Sequence, residues 1–391
     1  MRARTLQMLC VASVVYVMTI FIKKPLGDNL MKKALLPLVI ASFLPAAAFA
    51  DVTVYGKAFV TWQNSDLGVA DQTFTEVVNN ASRIGLKGSE SFNDDLKAIY
   101  QFEYQTKVDD GAIGQTCTAT SKSTTTNPAA TTTTTTTCSV SGQTFSQRNI
   151  FVGLQGNFGV AKLGMFDTPL KLAQEKIDLF NDLIGDMQAV IQGETRAKNV
   201  VQYSTNEYAH TTFNFAYINS EVDLPGTVNG YSASLVYNTK TIYLALANDH
   251  NVTNANNKAV ISPVLAGAAA ADDTDIVRAV GRFVVGPVVL GALYETYNNG
   301  KVGASQIDDN GYLLSAKWDI DSNWALKAQY GQSKIIGATV ESKTTSLGVD
   351  YKLSKNATLL GYYTKNEDDK AVAGLTQRDD TYIGAGIEFN F

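Results

Sequence analysis

The chain has 391 residues, of which 45% are hydrophobic and 18% charged, and its formal net charge is −5. It is too apolar for a disordered chain and too polar for a bundle of transmembrane helices, and its length suits one large domain. The acidic balance argues against nucleic acid as a partner.

The first element in chain order is an export signal. Met31-Lys32-Lys33 is a basic start, Ala34 to Leu44 a short apolar run, and Ala48-Phe49-Ala50 a small-residue cleavage site. Residues 31–50 therefore read as a signal peptide, and residues 51–391 as the mature chain. Residues 1–30 form an upstream extension. Its apolar stretch, Leu6 to Ile22, is of marginal spanning length, and a start codon placed too early accounts for it more simply than an anchor. Loss of residues 1–50 removes six basic residues and one acidic residue, which leaves a mature net charge of −10.

Cysteine usage agrees with export. Cys10 leaves with the leader, and Cys117 and Cys138 remain on either side of the threonine run Thr131 to Thr137. An even pair in an oxidising compartment reads as one disulfide closing a loop. His210 and His250 lie far from both in sequence, so no metal site is expected, and no cofactor.

From Asp51 onward the hydrophobic period is two. Phe213, Phe215 and Tyr217 alternate with Thr212, Asn214 and Ala216, and the last segment sets Ile383, Ala385, Ile387, Phe389 and Phe391 against Tyr382, Gly384 and Glu388. About 16 segments of this kind follow one another, starting near Val52, Ser82, Leu96, Asn149, Val160, Lys198, Thr212, Tyr231, Thr241, Ile276, Val288, Gly311, Trp324, Thr344, Ala357 and Asp380. Their connections alternate strictly between short ones, such as Gly286-Pro287, and long ones, such as Thr106 to Gln147 and Phe166 to Arg196. A soluble sandwich has no reason to lengthen every second loop. A transmembrane antiparallel β-barrel has tight turns at one rim and long loops at the other. The mature prolines all fall in connections, as a closed barrel requires. Trp62, Trp318 and Trp324 fall where a lipid–water girdle is expected, with Trp62 ending the first strand.

Several short motifs then carry a resemblance. Val54-Tyr55-Gly56 opens the first strand. Ser82 to Glu90 reads Ser-Arg-Ile-Gly-Leu-Lys-Gly-Ser-Glu, and Phe151-Val152-Gly153-Leu154, Phe158-Gly159, Leu163-Gly164 and Asp167-Thr168-Pro169 follow. In this order and spacing they resemble the general bacterial trimeric porins, in the neisserial and β-proteobacterial branch, over essentially the whole mature chain. The resemblance implies a 16-stranded outer-membrane barrel, a homotrimer seated in lipid, passive diffusion of small hydrophilic solutes and ions, and a third long loop folded into the lumen. It also implies that the terminal Phe391 is read by the barrel-assembly machinery. By position the inward loop is Phe166 to Arg196.

That loop alone shows helical periodicity. Glu175, Asp178, Asp182 and Asp186 recur every three or four residues, and Leu179, Leu183, Ile184 and Met187 form another face. A short helix with its apolar face on the wall and its carboxylates in the pore is the expectation. The opposite wall should be basic. Arg83 and Lys87 share a face opposite Ile84 and Leu86, Lys57 does the same on the first strand, and Arg148 and Arg196 add to the set. Family members usually carry lumen arginines where this chain has Met165 and Gln202. The thinned basic wall and the four loop acids predict a weak preference for cations. No nucleophile motif surrounds either histidine, which argues against an outer-membrane enzyme. A substrate-specific channel would show an aromatic ladder in the lumen, and an adhesive barrel would show no conductance.

Overall fold

In a computed structural model the described residues are 51–391 apart from 110–113, 127–128, 142–144, 222–227, 253–273, 299–307, 337–339 and 370–376. For residues 51, 114–126, 129–141, 335 and 336 the backbone alone is described. The expected extension and signal peptide, residues 1–50, lie outside this set.

The chain closes into an antiparallel barrel of 16 strands. In chain order these are β1 (Asp51–Leu67), β2 in two segments (Gln72–Asn79 and Arg83–Asn93), β3 (Leu96–Thr106), β4 (Phe145–Gly156), β5 (Gly159–Asp167), β6 (Arg196–Ser204), β7 (Thr211–Ile218) and β8 (Gly230–Asn238). Then follow β9 (Ile242–His250), β10 (Asp275–Val285), β11 (Val288–Asn298), β12 (Asp308–Asp319), β13 (Trp324–Ile336), β14 (Val340–Lys352), β15 (Ala357–Asp368) and β16 (Asp379–Asn390). Each strand pairs with its sequence neighbour. β1 closes the ring on β16 in a register running from Lys57 opposite Asn390 to Leu67 opposite Asp380. Gly56 and Phe391 extend this ladder by exchanging backbone hydrogen bonds of 2.9 and 3.1 Å. Every strand edge is thereby satisfied, which is the condition for a sheet to sit in hydrocarbon.

The two segments of β2 are one wall strand interrupted at Asn80-Ala81-Ser82. Ala81 takes a left-handed φ of 53°, and the Ser82 hydroxyl replaces the lost ladder: it accepts from Phe59 N at 2.9 Å and donates to Phe59 O at 3.2 Å. Such a break bends a strand without leaving backbone groups unpaired.

Side-chain parity follows the expected period. Val201, Tyr203, Phe213, Phe215, Leu244 and Leu246 are exposed on the outer face, while Gln202, Ser232 and Ser234 are buried inward. Apolar residues outside and polar residues inside are what lipid outside and water inside require. Trp62, Trp318 and Trp324 all lie exposed on the outer face.

The strict alternation of connections does not hold. β1 runs on past Trp62 to Leu67 and returns through residues 68–71 into β2, and only residues 337–339 join β13 to β14. At those two places the extra length extends the hairpin arms, so Trp62 lies within its strand and not at its end. The opposite rim has tight turns as expected. Ala209 and His210 sit at φ 48° and 64°, the pair of left-handed residues that a two-residue hairpin turn needs. His250 ends β9.

Between β3 and β4, residues 114–126 and 129–141 form a separate two-stranded hairpin. Its register sets Cys117 opposite Cys138. The expected disulfide depends on side chains outside the described set.

Candidate functional site

The connection between β5 and β6, residues 168–195, folds into the barrel. It opens with α1 (Pro169–Leu172), capped by Thr168, whose hydroxyl accepts from Lys171 N at 3.2 Å, with Pro169 at a position where its missing N–H costs nothing. The only other helical piece in residues 168–195 is a single 3₁₀ turn, Met187–Ala189. The short helix expected to carry Glu175, Asp178, Asp182 and Asp186 is absent.

The acids themselves explain this. Asp178 accepts from Phe180 N at 2.9 Å and Met187 N at 2.8 Å, and Asp186 from Asp182 N and Gln188 N, each at 2.9 Å. Short acidic side chains that capture nearby backbone N–H groups compete with helical hydrogen bonds. Glu175 and Asp182 adopt left-handed φ values of 52° and 66°, which break any helix through them. The spacing of three and four residues thus encodes a series of turns.

The loop docks on the inner wall through two apolar clusters. In the first, Leu170, Ile177, Met187, Val190 and Ile191 pack on lumen-facing residues of β9 to β12, among them Tyr243, Ile276, Val280, Leu293 and Leu313. In the second, Phe180 and Leu183 pack against Phe59, Leu360 and Tyr362 of β1 and β15. Glycines on the wall provide the sockets. A Cβ at Gly311 would come within 2.6 Å of Ile191, one at Gly331 within 2.6 Å of Val190, and one at Gly348 within 3.0 Å of Phe180.

Polar anchors complete the docking. Arg278 of β10 is fully buried; Nε donates to Glu295 at 2.7 Å, Nη1 to Gln174 Oε1 at 3.1 Å and Nη2 to Gln192 O at 2.5 Å. Glu295 Oε1 in turn accepts from Gln192 N at 3.0 Å. Gln329 of β13 accepts from Leu179 N at 2.8 Å and donates to Asp178 at 2.9 Å and Gly185 O at 3.1 Å.

The four expected pore acids therefore divide. Asp178 and Asp186 are buried between loop and wall and do not line the lumen. Burial pushes the Asp178 carboxyl up to about 6, and burial together with the neighbouring Asp178 raises Asp186. Asp182 reaches Lys57 at 2.5 Å and Arg83 at 3.4 Å. Burial alone would raise it, but those two cations outweigh that and hold it below the ordinary carboxylate range. Glu175 pairs with Arg282 of β10 at 3.1 Å.

The basic set is more coherent. Arg148 pairs with Glu103 at 3.1 Å, and Arg196 with Asp167 at 2.9 Å. Arg196 Nε also donates to Asn149 Oδ1 at 3.1 Å, the residue that follows Arg148, so these two arginines lie close together on β4 and β6. Lys87 stays exposed with its ammonium 5.2 Å from the centre of the Tyr55 ring, away from the loop acids. Lys162 lies over the Phe151 and Phe166 rings at 5.0 and 4.6 Å, and no ion pair to it occurs among the described residues. Lys171 joins Glu194 at 3.1 Å and Asp167 at 3.6 Å. What the loop leaves exposed is Leu172, Lys176, Asn181, Ile184 and Gln188, a strip with no acid in it.

The profile of the Gram-negative porin family matches residues 36–371. The chain belongs to the Gram-negative porin family. It is similar to the major outer membrane protein P.IB of Neisseria sicca, 33% identical over 155 residues, which is 38% of this chain and 35% of that protein. P.IB of Neisseria meningitidis serogroup B is 30% identical over 188 residues, 46% of this chain and 47% of that one. The aligned segments thus span less than half the length of these curated relatives. Among solved structures, an anion-selective porin from Comamonas acidovorans superposes with a TM-score of 0.65 at 18% identity, covering 88% of this chain and all of that one. OmpF of Salmonella typhi, solved in complex with daunomycin, gives a TM-score of 0.58 at 16% identity, covering 87% and 97%. The neisserial resemblance read from the motifs is supported, and this porin is an outer-membrane β-barrel.

Sequence reasoning missed Arg278, Arg282, Gln329 and the glycine sockets. One signal was present. Ile242 to Ala247 reads apolar on both faces, the pattern of a strand covered on both sides. In a water-filled barrel, doubly apolar strands mark where something packs inside.

Proposed function

We propose that this porin is a passive diffusion channel for small hydrophilic solutes and ions, assembled as a homotrimer and narrowed by the loop of residues 168–195. The observation that carries it is the loop's place: anchored to the inner wall of a closed barrel by two apolar clusters, with Asp182 held on Lys57 and Arg83. In the same reading Phe391, stacked on Phe389 at a ring separation of 6.1 Å, is the signal for the barrel-assembly machinery, and the lipid partner covers the apolar outer face. The chain acts as a channel, not as an enzyme.

Selectivity follows from which charges face water. With Asp178 and Asp186 buried and Asp182 neutralised by two cations, the expectation of a weak cation preference loses its basis. Arg83, Lys87, Arg148, Lys162, Lys171 and Arg196 keep part of their surface in water, against Asp167, Asp182 and Glu194, while Lys57 and Glu103 are buried. That excess favours anions, and it fades as salt shortens the Debye length from about 8 Å at physiological ionic strength. Planar-bilayer recording is expected to show stepwise conductance and a reversal potential of anionic sign at low salt. Asp182→Asn should strengthen the anion preference by a few fold, since one close charge pair in a wet constriction contributes about 1 kcal/mol. A cation-selective wild type would overturn this assignment.

The proposal also includes export and the loop bridge. The exported protein should begin at Asp51 and carry Cys117 and Cys138 as a disulfide. One intact-mass measurement on non-reduced outer-membrane protein reads both: the Asp51–Phe391 mass, lighter by two hydrogens. Retention of residues 1–30, or two free thiols, would contradict it.

A further inference from the structure

The exposed strip of the constriction loop contains two large aliphatic side chains where a channel for small ions needs none. Leu172 is 52% exposed and Ile184 is 36% exposed, although the neighbouring apolar residues of the loop are almost all buried against the wall. Each stands beside cations. Ile184 follows Asp182 by two residues, at most about 8 Å along the backbone, and Asp182 holds Lys57 and Arg83. Leu172 directly follows Lys171, which shares Asp167 with Arg196. Both halves of the loop thus pair a wetted aliphatic surface with a cationic cluster whose local acids are already engaged. The remaining exposed loop residues are Lys176, Asn181 and Gln188, and the partly exposed carboxylates beside them, Glu175 and Asp182, are held by Arg282 and by Lys57 with Arg83.

We infer that the constriction favours amphiphilic organic anions, those with one carboxylate and an apolar body, over equally charged hydroxylated anions. The carboxylate moves along the lysines and arginines of the wall while the apolar body slides over Ile184 and Leu172. Only transient contact is needed. A partly hydrated aliphatic contact that removes about one methylene group from water changes an equilibrium by about three- to fourfold, enough to bias flux without trapping the solute. A dry, tight pocket would bind and block. This inference rests on the channel reading and adds the solute class to it.

The test is bi-ionic reversal potential on single channels, with hexanoate or gluconate on one side and chloride on the other. The two organic anions share a six-carbon chain and one carboxylate, and differ in hydroxylation. The double variant Leu172→Asn, Ile184→Asn is compared with wild type, so that solute size cancels. The expected result is a hexanoate-to-gluconate permeability ratio about threefold or more higher in wild type than in the variant. Hexylammonium, with the same tail and opposite charge, should gain nothing from wild-type Leu172 and Ile184. If channels conduct chloride but the ratio is the same in both proteins, or hexylammonium gains as much as hexanoate, the solute class is wrong while the channel stands. If no chloride current appears in either protein, the channel reading fails and takes the inference with it.

Discussion

Arg278→Met is expected to release the root of the constriction loop and give a wider, noisier channel. The guanidinium is fully buried and holds four groups at once: Glu295 on the neighbouring strand, and Gln174 and the Leu170 and Gln192 carbonyls on the loop. Removing it leaves the Glu295 carboxylate buried without its counter-charge, which costs about 3–5 kcal/mol. The barrel ladder between β10 and β11 does not use these side chains, since its register runs through backbone groups from Asp275–Asn298 to Val285–Val288. The penalty therefore falls on loop docking. A shift of that size lowers the docking equilibrium by about a hundredfold or more. Single-channel recording should show larger conductance with flicker. Replacing both partners, Arg278→Met with Glu295→Met, should recover most of the wild-type closure, because a well-packed apolar pair can stand in for a buried ion pair. Equal conductance in wild type and Arg278→Met would mean that the loop does not depend on this anchor.

Phe180→Ala should release the other end. Its ring is completely buried among Phe59, Leu183, Leu360 and Tyr362, and the Lys327 ammonium lies 5.0 Å from its centre. Truncating such a ring to a methyl group costs about 3–5 kcal/mol in transfer and cavity terms. Asp182 is two residues away and loses its footing, so Lys57 and Arg83 are left facing the lumen. Wider conductance should then come with a stronger anion preference. That combination distinguishes it from Arg278→Met, which leaves the Asp182 contacts in place and should change conductance more than selectivity. A Phe180→Ala channel with wild-type conductance and reversal potential would refute the docking described for the loop tip.

The barrel was legible in the sequence because lipid on one side and water on the other impose a period of two that nothing else in the chain obscures. Val201 and Tyr203 face out and Gln202 faces in, as alternation requires. Most strand starts were legible for the same reason, but the second strand begins at Gln72 and not near Ser82. Connection lengths were less so, since a loop can spend its residues lengthening a hairpin, as between Trp62 and the second strand. The loop misled for a different reason. Acids at spacings of three and four residues fit a helical stripe and fit a run of capped turns equally well, and the choice depends on φ at Glu175 and Asp182, which no periodicity reports. Lys57 and Arg83 could be read from strand parity, whereas Arg148 and Arg196 lie just before the expected strand starts at Asn149 and Lys198, and the pairing of all four with Asp182, Glu103 and Asp167 is tertiary. Arg278 and Arg282 were hidden in the same way: on the right parity, but indistinguishable from any lumen cation until the loop lies over them.

The central claim is that residues 168–195 line the narrow part of an open, water-filled pore. Cysteine accessibility in the bilayer tests it most directly, in a protein whose native cysteines are replaced by serine. Gln188→Cys lies on the exposed strip of the loop, and Val201→Cys lies on the outer face of β6. A charged methanethiosulfonate reagent added from the water should lower the conductance of Gln188→Cys channels in discrete steps and leave Val201→Cys channels unchanged. Steps at Val201→Cys, or none at Gln188→Cys, would contradict the account.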